Sequence, residues 1–407
     1  MIEIKQPRLA EPESVQRALD VAGILWPPPS RISLRRWRAY GAGKEEWLIL
    51  PSLRKAWWLL PIGRCSAQAL RRHDIGQRNG AAWKILASLQ ARGILGVLPL
   101  ARLHVEDSEH EGTIGAELAR IMGKRVEVSV RLGRHRVNRQ LVLQALSENG
   151  QVDAFVKVAI SPASDLALRR EQDNLERVAS LVRGTVACPK VLHFGSWNGK
   201  ALLVITPLLA GGEPTDEAVS VPVSQMVDFA RTAGTVREPI KQADFLMRLE
   251  TQIEALPPDM GGAALRRACD FLHDEYGETS LELGWWHGDW VPWNMGWDHH
   301  KIQLWDWEHF AEGVPVGWDP LHYLSQRIRH DSGTRTEFEV QWQREAEQLM
   351  EQELGLNGRQ AFAVMLSYLI EVNTRYVADR SSTSVGFQPR PGWGLPLIMR
   401  LMNGSQS

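Results

Sequence analysis

Three polar side chains lie in the stretch Trp286-His287-Gly288-Asp289-Trp290-Val291-Pro292-Trp293-Asn294 and in Trp305-Asp306-Trp307 just beyond it, at a spacing that one reaction requires. Moving a phosphoryl group from ATP to a hydroxyl needs a carboxylate that orients the hydroxyl and accepts its proton. It also needs oxygen ligands that hold Mg²⁺ on the phosphates. Asp289 suits the first task, and Asn294 with Asp306 the second. The order His-x-Asp, four residues, then Asn is the catalytic-loop spacing of kinases, and Pro292 falls where a proline stiffens such a loop.

On His287-Gly288-Asp289, Asn294 and Asp306 the sequence resembles the aminoglycoside phosphotransferase and choline kinase-like family. The resemblance covers about residues 125–380. It implies a two-lobed, protein-kinase-like α+β fold, with a small antiparallel-sheet lobe and a mainly helical large lobe. Val291 stands where protein kinases carry a lysine, which favours a small-molecule acceptor. The resemblance assigns Lys157, in Phe155-Val156-Lys157-Val158, to the α- and β-phosphates of ATP. Glu171 is its ion-pair partner, or Glu176 if the helix is rotated. A lysine inside an apolar strand is costly to bury unpaired; the bland alternative is an edge strand with Lys157 in solvent. Gly133 opens the hairpin that would cover the phosphates, but one glycine is a poor match to a Gly-rich loop, and the hairpin's arginines read as solvated. Pro207 to Gly212 would be the hinge that reads adenine. His287 is assigned a bracing role. Asp319, before Pro320, reads as a helix N-cap.

The elements that must carry these residues follow from periodicity. A helix ends before Pro27-Pro28-Pro29, Trp47 to Leu50 and Ala56 to Ile62 read as strands, and a helix through Trp83 ends at Gly93. His104, Glu106, Asp107 and His110 have no diagnostic metal spacing and read as an exposed connector. Strands follow at Val126–Val130, Leu141–Ala145 and Ala154–Ala159, then a helix over Asp165–Val182, then strands at Val191–Phe194 and Leu202–Pro207. Beyond the hinge the pattern is helical, except for a strand from Lys301 to Trp305 that leads into Asp306. The expected division is an additional N-terminal α/β domain over 1–110, the small lobe over 111–210 and the large lobe over 211–407.

With 407 residues, 44% apolar and 23% charged, the chain reads as an ordinary globular protein. No apolar run is long enough to span a bilayer, and no signal-peptide pattern opens the chain, so a cytoplasmic protein without a membrane partner is expected. The three cysteines, Cys65, Cys188 and Cys269, lack zinc or redox spacing. Charge is uneven: residues 1–105 carry 17 Lys and Arg against 7 Asp and Glu, or +10, leaving −11 for the remainder. That asymmetry suits an anionic partner or mutual attraction within the chain.

Two rivals stand beside the kinase reading. A non-catalytic nucleotide-binding scaffold would not need every polar position filled, and here all are. A nucleic-acid-associated protein would use the basic N-terminal part, but no zinc finger, RNP-type motif or basic helix supports it. Excess acidic charge and the tryptophans suit a sugar, amino sugar or amino alcohol as acceptor. Trp290, Trp293 and Trp307 would stack on such a ligand or pack in the core, and core packing weighs more.

Overall fold

Strands dominate the first half of the chain because its apolar residues recur every second position, whereas helical spacing takes over later. The computed structural model describes residues 13–35, 44–63, 66–71, 80–132, 140–181, 186–208, 221–298, 301–331, 334–381 and 394–404. The chain divides into two units, Met1–Glu176 with Pro189–Ala210, and Arg177–Cys188 with Gly211–Ser407.

The first unit begins with helix α1 (Glu13–Leu25), strands β1 (Arg31–Arg35), β2 (Lys44–Ser52) and β3 (Lys55–Pro61), and helices α2 (Ala67–Arg71) and α3 (Gly80–Ala91). Strand β4 (Arg102–Glu106), helix α4 (Ile114–Met122), strands β5 (Glu127–Arg131), β6 (Leu141–Leu146) and β7 (Val152–Val158), and helix α5 (Pro162–Ala179) follow. Strand β8 (Val186–Ala187) belongs to the second unit; β9 (Val191–Trp197) and β10 (Lys200–Ile205) return to the first. Nine strands form one sheet in the order β1-β4-β2-β3-β5-β6-β7-β10-β9, every pairing antiparallel. Successive side chains leave a strand on opposite faces. Trp47 and Ile49 therefore enter one apolar core, with Trp26, Leu103 and Val130. Leu48 and Leu50 enter another, with Trp58, Leu60 and Trp83.

Two expectations change here. The additional domain over 1–110 is not seen as a separate body: β3 pairs with β5, Trp58 opposite Arg131 and Leu59 opposite Val130, so its strands lie in one sheet with β5, β6, β7, β10 and β9. His104 to Glu106 are not an exposed connector but part of β4, between β1 and β2. Glu46 lies 3.1 Å from Arg102 and 3.2 Å from His104, and Arg102 also donates to Gly96 O and Leu98 O. Those partners allow both polar side chains to be buried while Leu103 and Val105 face the core. Among the described residues, no group of three His, Cys, Asp or Glu gathers to hold a metal ion.

The second unit continues with α6 (Val223–Ala230), β11 (Val236–Pro239), α7 (Asp244–Glu254), α8 (Gly262–Tyr276), β12 (Ser280–Trp286), β13 (Met295–Asp298) and β14 (Lys301–Leu304). It ends with β15 (Ala311–Pro315), α9 (Trp318–Asp331), α10 (Arg335–Gln348), α11 (Gly358–Ser381) and α12 (Leu395–Gly404). The start of α10 is written in the sequence: Thr334 accepts from Glu337 N–H while the Glu337 side chain accepts from Thr334 N–H, a capping box. The helices enclose a core through Leu249, Leu272, Leu321, Trp342 and Leu369. Two small sheets, β11-β12-β15 and β13-β14-β8, frame the loop of residues 287–294. β11, β12 and β15 lie where only helices and loop are expected. Among the described residues no helix is long and apolar enough to cross a membrane.

Candidate active site

The loop after β12 is fastened from below before any of its functional groups is placed. Asp319, in the first turn of α9, accepts from His287 N–H at 2.7 Å and from Gly288 N–H at 3.2 Å. It is therefore a loop anchor rather than the N-cap expected from sequence, because α9 already starts at Trp318. Burial raises its pKa to about 7 against the opposing pull of those two amides. Gly288 has φ +85°, and a Cβ there would meet His309 O at 2.2 Å, so only glycine fits. Arg375 on α11 donates to Gly288 O at 2.9 Å and lies 4.4 Å from the Trp286 ring. His287 is fully buried, packed edge-on against Trp307, and its Nδ1 accepts from Asp289 N–H. Burial pushes its pKa down to about 4, so it stays neutral and braces the loop, as expected.

Asp289 emerges from this support half-buried, with its side chain 35% exposed. Asn294 Nδ2 donates to Asp289 Oδ2 at 2.7 Å and to Asp289 O at 3.1 Å. His322 Nε2 lies 3.1 Å from Asp289 Oδ1. Burial pushes the carboxyl pKa up, but the hydrogen bond and charge of His322 outweigh it and hold the pKa below the ordinary value. Asp289 is thus a carboxylate, oriented through both oxygens.

Asn294 spends its amide nitrogen on Asp289, which leaves its oxygen as the atom with metal-ligand chemistry. Trp305 N–H donates to Asn294 O at 3.1 Å, fastening the residue before Asp306 to the loop. Asp306 has φ 66° and ψ 64°, a left-handed conformation that costs on the order of 1–3 kcal/mol for a residue with a side chain. It opens the turn Trp307–His309 without capping it. An amide oxygen and a carboxylate are hard donors of the kind Mg²⁺ takes, the rest of its shell being water and phosphate oxygens. By donor type alone, Asn294 and Asp306 suit that ion.

In the first unit Lys157 sits on β7, between β6 and β10, opposite Val142 and Leu203. The edge-strand alternative is therefore excluded. Its Nζ lies 2.6 and 2.7 Å from the two carboxylate oxygens of Glu171 on α5, so Glu171 rather than Glu176 is the partner. Gly133 and the hairpin arginines lie outside the described residues, as do residues 209–212 of the expected hinge. Trp290 and Trp307 are fully buried around Phe229, each at 5.7 Å, and cannot stack on a ligand; Trp293 is 42% exposed.

Solved structures of an aminoglycoside phosphotransferase and a choline kinase are similar to this chain. A thermostable mutant of aminoglycoside phosphotransferase APH(4)-Ia, in its apo form, is 14% identical with a TM-score of 0.49, covering 72% of this chain and 99% of its own. Choline kinase LicA from Streptococcus pneumoniae is 15% identical with a TM-score of 0.44, covering 72% and 96%. No family model and no curated protein matches the sequence. The likeness is one of fold at low sequence identity.

Sequence reasoning missed His322 and Arg375 and misread the task of Asp319. A signal existed for one of them: Asp319 and His322 are three apart at the start of a helix, so both face the same way. Arg375, far along α11, left no such trace.

Proposed function

We propose that this chain is an ATP-dependent phosphotransferase that moves the γ-phosphoryl group to a hydroxyl of a small molecule. The observation that carries the reading is Asp289, an oriented, half-buried carboxylate held by Asn294 on one oxygen and by His322 on the other. In this reading Asp289 binds the acceptor hydroxyl and takes its proton. The acceptor oxygen bonds to the γ-phosphorus while the bond to the β–γ bridging oxygen breaks. Asn294 and Asp306 hold Mg²⁺, which when bound supplies neutralising charge to the phosphates. Lys157, itself oriented by Glu171, engages the nucleotide phosphates.

The acceptor is a sugar, amino sugar or amino alcohol. Trp293 is the tryptophan of the loop whose ring remains accessible to such a ligand. A phosphoryl-transfer screen over neutral sugars, amino sugars, amino alcohols and nucleosides tests this. Phosphorylation within the first three classes is expected. Transfer confined to nucleosides would refute the acceptor class, and no transfer to any class would count against the reaction.

A further inference from the structure

His322, Ser325, Tyr368 and Trp342 are all buried behind Asp289, so each donor there must find an acceptor. The group is small enough for its protons to be counted. Trp342 Nε1 can only donate, and it donates to Ser325 Oγ at 2.7 Å. Ser325 spends its single proton on Leu321 O, also at 2.7 Å. Tyr368 donates to Ser325 Oγ at 3.0 Å, and burial raises its pKa so that the phenol keeps that proton. The Tyr368 oxygen is then an acceptor toward His322 Nδ1, 3.1 Å away, and Nδ1 must carry a hydrogen. On the other side of the ring, Nε2 and Asp289 Oδ1 lie 3.1 Å apart. Two bare lone pairs do not hold that distance, so a second proton lies between them.

We infer that His322 is a positioning residue for the base: seated on Tyr368 through Nδ1–H, it shares a proton with Asp289 through Nε2 and fixes the plane of the carboxylate. With Asn294 donating to Oδ2, rotation of the carboxylate is blocked from both sides. The lone pairs that remain are the ones offered to an acceptor hydroxyl. The geometry stands by itself; its catalytic consequence rests on the phosphotransferase reading.

The proton count is tested without any substrate. The full chain, labelled with ¹⁵N-histidine, gives an imidazole spectrum in which the His322 signals are those lost in His322→Gln. Hydrogen on Nδ1 is expected. A bare Nδ1, with hydrogen on Nε2 alone, overturns the inference, because Tyr368 would then be donating to the ring. The consequence is read by kinetics with ATP and whichever screened acceptor is phosphorylated. His322→Leu should lower kcat by about 10- to 100-fold, the scale of a misplaced catalytic group, with the nucleotide KM unchanged. His322→Gln, which retains a donor near the position of Nε2, should recover most of that loss. Equal losses in the two variants would overturn the positioning role. Should no acceptor be phosphorylated, the phosphotransferase reading fails while the spectrum still decides the proton count.

Discussion

Replacing one member of the Lys157–Glu171 pair should damage the protein more than replacing both. The ammonium contacts both carboxylate oxygens at 2.6 and 2.7 Å, with the two side chains 4% and 0% exposed. Removing either partner leaves a buried charge without its counterion, a loss of about 3–5 kcal/mol. In a unit of roughly 150–250 residues each kcal/mol moves Tm by about 2–4 °C, so Lys157→Met and Glu171→Leu should each lower the corresponding transition by roughly 6–20 °C. The double variant exchanges two paired charges for two apolar side chains and should lie within about 1 kcal/mol of the parent, or above it. Calorimetric melting of the four proteins yields the coupling, and ATP titration separates stability from function. The double variant should be stable yet bind nucleotide poorly, since the cation has gone. Single variants within about 1 kcal/mol of the parent would refute the energetic argument. A double variant that binds ATP as the parent does would remove Lys157 from the phosphate site.

The remaining predictions concern the second unit. Asp306→Ala should weaken Mg²⁺-dependent nucleotide binding more than Asn294→Ala, because a carboxylate neutralises charge and an amide only coordinates; calorimetry showing equal, metal-independent affinities would contradict both assignments. Burial lowers the His287 pKa from 6.5 to about 4, so between those values the unfolded chain binds the proton that the folded chain refuses, and stability is lost as pH falls through that window. Relative to the parent, His287→Gln should therefore gain roughly 3 kcal/mol between pH 7 and pH 4, read from denaturant melts; a pH-independent difference would count against a neutral buried ring. Trp290→Ala should cost about 3–5 kcal/mol of stability. Trp293→Ala should leave stability nearly unchanged while raising the acceptor KM, and unaltered kinetics would remove Trp293 from the acceptor site.

What the sequence disclosed, and what it hid, follows from how far each signal reaches along the chain. Asp289, Asn294 and Asp306 are close in sequence and keep a fixed spacing, so their grouping is legible, and the structure brings Asp289 and Asn294 into direct contact. The helix after β7 offered two glutamates, and helical rotation alone could not choose between them; the structure selects Glu171. β4 was hidden because His104 and Glu106 read as part of an exposed connector until Glu46, on another strand, is placed beside His104 and Arg102. β12 was hidden because the pattern beyond the hinge reads as helical apart from Lys301 to Trp305, although the backbone of Ser280–Trp286 pairs with both β11 and β15. His322, Tyr368 and Arg375 reach the site from α9 and α11 through contacts that only tertiary packing creates. The tryptophans of the loop were readable as aromatic mass, but which of them faces solvent was not.

The central claim is that Asp289 accepts the proton of an acceptor hydroxyl during transfer from ATP. It is tested most directly by measuring labelled phosphate passing from γ-labelled ATP to sugars, amino sugars and amino alcohols, with the parent chain and Asp289→Asn side by side. The parent should label at least one of these classes in a Mg²⁺-dependent manner, and the variant should bind ATP as tightly but transfer about 10²- to 10⁴-fold more slowly, the usual worth of a positioned general base. Equal rates in the two proteins, or no transfer by the parent to any of the three classes, would contradict the account.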